Sequence, residues 1–210
     1  MHSSSSLASQ RSLSISLSVL VSFFSKDEWD NSGWMRIRSR ILNDLNTVVC
    51  EGQFSAFSAL FVLASHPRGR QLLINDDDLL DKITKDGLNA VVAEGPYKGK
   101  SALYFLACTP EGRQLLIDDA VLLSKINDEG LNAVVAAGED KGKSALWFLA
   151  SSPEGWPLLR DQQSLKDNIK LECLVSTFLY NNNDGSVKQY SVLAHILEDL
   201  SLIHISEPTS

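Results

Sequence analysis

The chain repeats itself. LNTVVCEGQFSAFSALFVLASHPRGRQLLINDDDLLDKITKDG begins at Leu45, LNAVVAEGPYKGKSALYFLACTPEGRQLLIDDAVLLSKINDEG at Leu88 and LNAVVAAGEDKGKSALWFLASSPEGWPLLRDQQSLKDNI at Leu131. The period is 43 residues, and more than half of the positions are identical between neighbours. A unit of that length cannot enclose a core alone, so its apolar faces must be buried against the next unit. Weaker echoes flank the three copies, SLSVLVSFFSKDEWDNSGWMRIRSRILND from Ser16 and LECLVSTFLYNNNDGSVKQYSVLAHILEDL from Leu171. The organisation that follows is a degenerate capping unit over 1–44, full units over 45–87, 88–130 and 131–170, a degenerate C-terminal unit over 171–199, and a tail over 200–210.

Within a unit the signals are helical. Leu103, Leu106 and Ala107 of KSALYFLA fall at i, i+3 and i+4, which places them on one buried helix face. Thr109-Pro110 reads as a helix start, with Thr109 as N-cap and Pro110 where its missing N–H is harmless. Asp118-Asp119 can cap a further helix through Leu122, Leu123 and Ile126, and Gly130 suits a left-handed C-terminal position. LNAVVAEG is expected to form the last element, closed by Gly95, with a short strand as the alternative. The expected fold class is all-α, an α-solenoid of tandem helical repeats.

The outline GLNAVVAAGEDKGKSALWFLASSPEG, an apolar helix, a loop and a helix ending in Leu-Ala, resembles armadillo and HEAT repeats in period and pattern. Armadillo units carry an asparagine before the final apolar-Ala pair, where this sequence has Val62, Phe105 and Phe148. GKSALYFLA also resembles the G-x-T-P-L-H-x-A-A opening of ankyrin repeats, lengthened here by an inserted helix. Units of either kind resemble repeat proteins secreted by intracellular bacteria. The resemblance implies a non-enzymatic scaffold whose partner is another protein or a peptide.

Gly-Lys-Ser, at Gly99-Lys100-Ser101 and Gly142-Lys143-Ser144, raises a competing reading, a nucleotide or phosphate loop. Such a loop needs four residues between its glycines, so that successive N–H groups curl around phosphate. Gly95 to Gly99 encloses three, and the first unit has Ala56-Phe57-Ser58 instead. A connector in which Gly ends one element and Ser caps the next is the expectation, and a nucleotide site the alternative. No Ser-His-Asp or His-Glu-x-x-His arrangement is present, so no enzyme activity and no cofactor are expected.

Two columns could meet a partner. Phe61, Tyr104 and Trp147 recur at one position, and a row of rings is either a binding surface or inter-helix packing. Lys98, Lys100, Lys141 and Lys143 make a basic edge on a chain of formal net charge -7. That net charge argues against nucleic acid, where Lys and Arg must neutralise phosphates. Asn46, Asn89 and Asn132 form a third column, expected to tie neighbouring units through side-chain to backbone bonds. Cys50, Cys108 and Cys173 are odd in number and widely spaced, so neither disulfides nor a metal site is read from them, and the first two sit at small-residue packing positions.

The ends carry their own expectations. LSISLSVLVSFF, Leu13 to Phe24, is read as a helix in preference to a signal peptide, because no small-x-small cleavage site follows it. No membrane span is expected, and the location is cytoplasmic or secreted by a non-classical route. LSLIHISEPT, Leu200 to Thr209, resembles codon for codon the translation of a sequencing-library adapter. That implies a gene from an environmental assembly truncated near Leu200, with further repeats or a larger effector-like protein beyond, and it strips His204 and Glu207 of meaning.

Overall fold

A computed structural model describes residues 17–25, 31–49, 56–170, 173, 177–181 and 187–191. Among these the fold is predominantly helical, built from short helices in regular order. α1 (17–24) and α2 (Asn31–Asp44) precede the three copies. The first copy carries α3 (Ala59–Ser65), α4 (Pro67–Asn75), α5 (Asp77–Lys82) and α6 (Lys85–Asn89). The second carries α7 (Ala102–Ala107), α8 (Pro110–Asp118), α9 (Ala120–Ser124) and α10 (Asp128–Asn132). The third carries α11 (Ala145–Ala150), α12 (Gly155–Asp161) and α13 (Gln163–Lys166).

Capping explains why elements this short form. Ser58, Ser101 and Ser144 stand at corresponding positions, and each hydroxyl accepts the third N–H of its helix, as Ser101 Oγ does from Tyr104 N at 3.1 Å. Asp119 caps α9 by accepting from Val121 N and Leu122 N, both at 2.9 Å. Thr109 departs from expectation: its hydroxyl turns back to donate to Phe105 O at 3.0 Å, and α8 begins without a side-chain cap. Leu103, Leu106 and Ala107 are fully buried, within one core that runs from Leu17 and Leu20 through Leu60, Leu103 and Leu146 to Leu165. Short helices marginal alone draw their stability from that shared burial.

Three expectations are corrected. LNAVVAEG is not a helix: α6 ends at Asn89, and residues 90–100 form a tight finger in which Val92 N donates to Lys100 O and Gly99 N to Val92 O, both at 2.9 Å. Nor is Gly130 left-handed; it lies inside α10, where a Cβ would collide with the Asn89 side chain. The segment 171–199, expected as a further helical unit, holds an antiparallel pair, β1 (Thr177–Asn181) and β2 (Val187–Ser191), with Leu179 opposite Gln189. The Asn-rich and Gly-containing run NNNDG, which begins at Asn181, is a turn signal in the sequence.

α1 buries Leu17, Leu20 and Phe24, whose ring stacks on the His66 imidazole at 4.5 Å and 5°. His66 Nδ1 also accepts from Arg68 N to cap α4, and burial, then the charges of Arg68 and Arg70, hold the ring below its ordinary pKa. Arg38 of α2 joins this end to the first copy through Asp76, with Nε to Oδ2 at 2.6 Å. No helix among the described residues is long and apolar enough to cross a membrane. The tail 200–210, Cys50 and the start of the N-terminal apolar run lie outside the described residues.

The finger turn also yields a stability test. Gly99 and Gly142 have φ of +88°, and the corresponding residue of the first copy is Ala56, at φ +72°. A Cβ there costs about 1 kcal/mol relative to glycine. Ala56→Gly is therefore expected to stabilise the chain by about that amount in urea denaturation; an unchanged or lower midpoint would contradict the strain.

Candidate functional site

The Gly-Lys-Ser loops spend the donors a phosphate would need. Lys98 N donates to Gly95 O, Gly99 N to Val92 O and Lys100 N to Tyr97 O, and the second loop repeats this at Lys141, Gly142 and Lys143. Ser101 and Ser144 are buried as helix caps. The fingers instead join units: Ala136 N donates to Lys98 O at 3.1 Å, and a Cβ on Gly99 would strike the Val134 carbonyl of the next copy.

The aromatic and lysine columns meet at the unit junctions. Phe61 and Tyr104, expected as possible partner contacts, are buried, and Trp147 is half-buried. Their rings pack edge-on across junctions, Phe61 on Phe105 at 5.1 Å and Tyr104 on Phe148 at 5.5 Å. A partner cannot reach rings enclosed in this way, so the binding-surface expectation fails for Phe61 and Tyr104. Lys100 and Lys143 are likewise turned inward: Lys100 Nζ lies 5.0 Å from the Tyr104 ring centroid, and Lys143 Nζ lies 4.9 Å from that of Trp147. Lys98 and Lys141 stay exposed at the finger tips.

Asp140 gathers this second junction. It accepts from Tyr104 Oη at 2.6 Å and from Lys143 Nζ at 2.9 Å, with Lys100 Nζ at 3.8 Å. Burial alone would raise the Asp140 carboxyl pKa, but the hydrogen bonds from Tyr104 and Lys143 and the two lysine charges outweigh it and hold the group below the usual carboxylate range. Burial, then the bond to Asp140, pushes the Tyr104 hydroxyl well above its ordinary value. The residues that correspond to Lys100, Tyr104 and Asp140 one junction earlier are Phe57, Phe61 and Tyr97, an aromatic cluster without a carboxylate, with Tyr97 edge-on to Phe57 at 5.3 Å and Lys100 in the place of Lys143. Tyr104→Phe is expected to cost about 2 kcal/mol at pH 7, the worth of a hydrogen bond to a charged acceptor. Because the folded Asp140 pKa is depressed, that contribution is full above about pH 4 and is lost as pH falls through the folded value. Thermal denaturation of both chains from pH 7 to 3 checks this; a penalty that does not shrink in acid would refute the coupling.

The two described cysteines are free thiols. Cys108 Sγ donates to Phe105 O at 3.4 Å, and burial, then the Asp140 charge, push its thiol up to about 11. Cys173 Sγ donates to Asn132 O at 3.7 Å. Among the described residues no group of three or more His, Cys, Asp or Glu could hold a metal ion.

Sequence reasoning missed an open groove of about 680 Å³ between α4 and α5 of the first copy and α8 of the second. Ile74, Leu80 and Leu115 supply its apolar surface, and Asp77, Glu111 and Asp118 are among its acidic lining. The one departure from the repeat that points to it is Asp77, which corresponds to Ala120 one copy on; Glu111 recurs as Glu154. Compared with known proteins, the chain matches no family model, no curated protein and no solved structure.

Proposed function

We propose that this chain is a non-enzymatic scaffold for protein–protein interaction, an α-solenoid of 43-residue helical repeats. The observation that carries the reading is how repeated and unrepeated positions divide. Residues that recur with the period, the Asn46, Asn89 and Asn132 column and the Ser58, Ser101 and Ser144 column, are spent on tying together segments 38 residues apart and on capping helices. A side chain that departs from the period, Asp77 where the next copy has Ala120, stands exposed on the groove beside Glu111. Units joined by the same bonds at every junction extend without closing, which leaves long faces open to a partner. A turn-like finger followed by a Ser-capped short helix and a second helix favours the ankyrin-like unit, lengthened by inserted helices, over the armadillo type. Spent loop donors count against the nucleotide alternative.

The test is capture of partners from the source cells on the immobilised chain, followed by two-component calorimetry of each captured protein with the purified chain. A defined stoichiometric complex is expected, together with no heat on titrating ATP or GTP. A chain that binds no purified protein, or that binds nucleotide in a saturable way, would overturn the reading.

A further inference from the structure

Resting on the scaffold reading, we propose that the groove between α4, α5 and α8 docks a basic segment of a partner protein. An apolar side chain of that segment enters the floor, and its Lys or Arg chains reach the rim. Ile74 is 37% exposed, a branched aliphatic surface in a concave site, and Leu80 and Leu115 continue it inward. A volume of about 680 Å³ matches the ligand-sized clefts of folded proteins. No lysine or arginine lines it.

The carboxylates differ in what they already hold. Arg113 engages Glu154 at 3.2 Å, Gln114 donates to Asp118 at 2.9 Å, and Asp119 caps α9. Asp77 and Glu111 are exposed and have no ion pair among the described residues. Both sit in the first turn of a helix, where an acid is favourable. Capping does not account for Asp77, since Ala120 replaces it in α9, whereas Glu111 recurs as Glu154 and Asp118 as Asp161. Asp77 from the first copy and Glu111 from the second converge on one groove that no cation lines.

An apolar floor inside an acidic rim is complementary to Lys and Arg, whose aliphatic stems lie on apolar surface while their heads stay charged. Acidic and phosphate-bearing partners are repelled by the same rim.

The probe is a fluorescein-labelled helical peptide of about 14 residues, leucine on one face and lysine on the other, followed by anisotropy on the full chain at about 0.15 M salt. Asp77→Lys with Glu111→Lys is expected to weaken binding about tenfold or more. Glu94→Lys with Glu139→Lys, the same charge change on the exposed finger tips, is expected to leave it nearly unchanged. Ile74→Ser is expected to weaken it several-fold. Equal losses from both charge pairs would reduce the effect to net charge and overturn the proposal. So would equal binding of a leucine-to-serine peptide, or full competition by spermine, which would mark a simple polycation site. Circular dichroism checks folding, with Asp77→Asn and Glu111→Gln as the milder pair. A captured partner that binds the charge-reversed chain as tightly as the wild type refutes the groove and leaves the scaffold standing.

Discussion

Asn89→Ala is expected to cost about 3 kcal/mol and to lower the thermal midpoint by roughly 6–12 °C. The Asn89 side chain is buried and makes three bonds: Nδ2 donates to Lys85 O at 2.6 Å and to Lys125 O at 2.8 Å, and Oδ1 accepts from Asn127 N at 3.1 Å. Two of these cross to the residues just before α10, the helix that corresponds to α6 one copy on, so the carboxamide replaces backbone partners that the chain cannot otherwise supply there. Alanine strips the Lys125 carbonyl and the Asn127 N–H of this partner at a part-buried junction, and an unsatisfied buried group costs about 1–3 kcal/mol. Asn89→Asp discriminates further. Its carboxylate can still accept from Asn127 N but turns an acceptor toward two carbonyl oxygens, so it should be at least as damaging at neutral pH and milder when protonated in acid. The same substitution at Asn132, which bonds Asn168 O at 2.7 Å and Lys170 N at 3.1 Å, should loosen the third junction instead. Because neighbour contacts carry much of the stability of a repeat array, unfolding of the substituted chain is expected to divide into two steps seen by separate probes. A single unshifted transition for Asn89→Ala would sink the role assigned to the column.

The period, the helical character of the units and the junction role of the asparagines were legible in sequence, because each shows as a residue type recurring at a fixed offset. The serine caps were legible for the same reason. Less legible was the path of LNAVVAEG, since a short apolar run suits helix and strand equally. Its course is decided by bonds from Val92 and Gly99 across the finger, which no local pattern announces. The aromatic column was visible but its direction was not: helical period places Tyr104 off the Leu103 face, and only the neighbouring copy, through Phe148 and Asp140, encloses it. The groove was hidden because its lining mixes residues that keep the period, such as Ile74, Leu115 and Glu111, with Asp77, which departs from it, and their convergence needs α4, α5 and α8 in place.

Gly112→Ala is expected to destabilise the chain by about 3 kcal/mol, where local reasoning gives the opposite sign. Gly112 lies in α8, and in a free helix alanine is favoured over glycine by about 1 kcal/mol. In the folded chain a Cβ at this position would collide with the backbone of Leu106, at its carbonyl oxygen and Cα. The obstacle is main chain rather than a flexible side-chain end, so α7 and α8 must separate. Separation opens the core around Leu103 and Leu106, and both the strain and the lost packing then oppose folding. Corresponding glycines in the other copies, Gly69 against Leu63 and Gly155 against Leu149, meet the same obstacle. The close helix crossing is thus a property of the unit, and alanine at any of the three should act alike. Chemical denaturation decides between the two effects: a fall in midpoint with an unchanged slope means packing wins. A midpoint at or above that of the parent chain would mean the crossing relaxes freely, and the glycine column would lose its explanation.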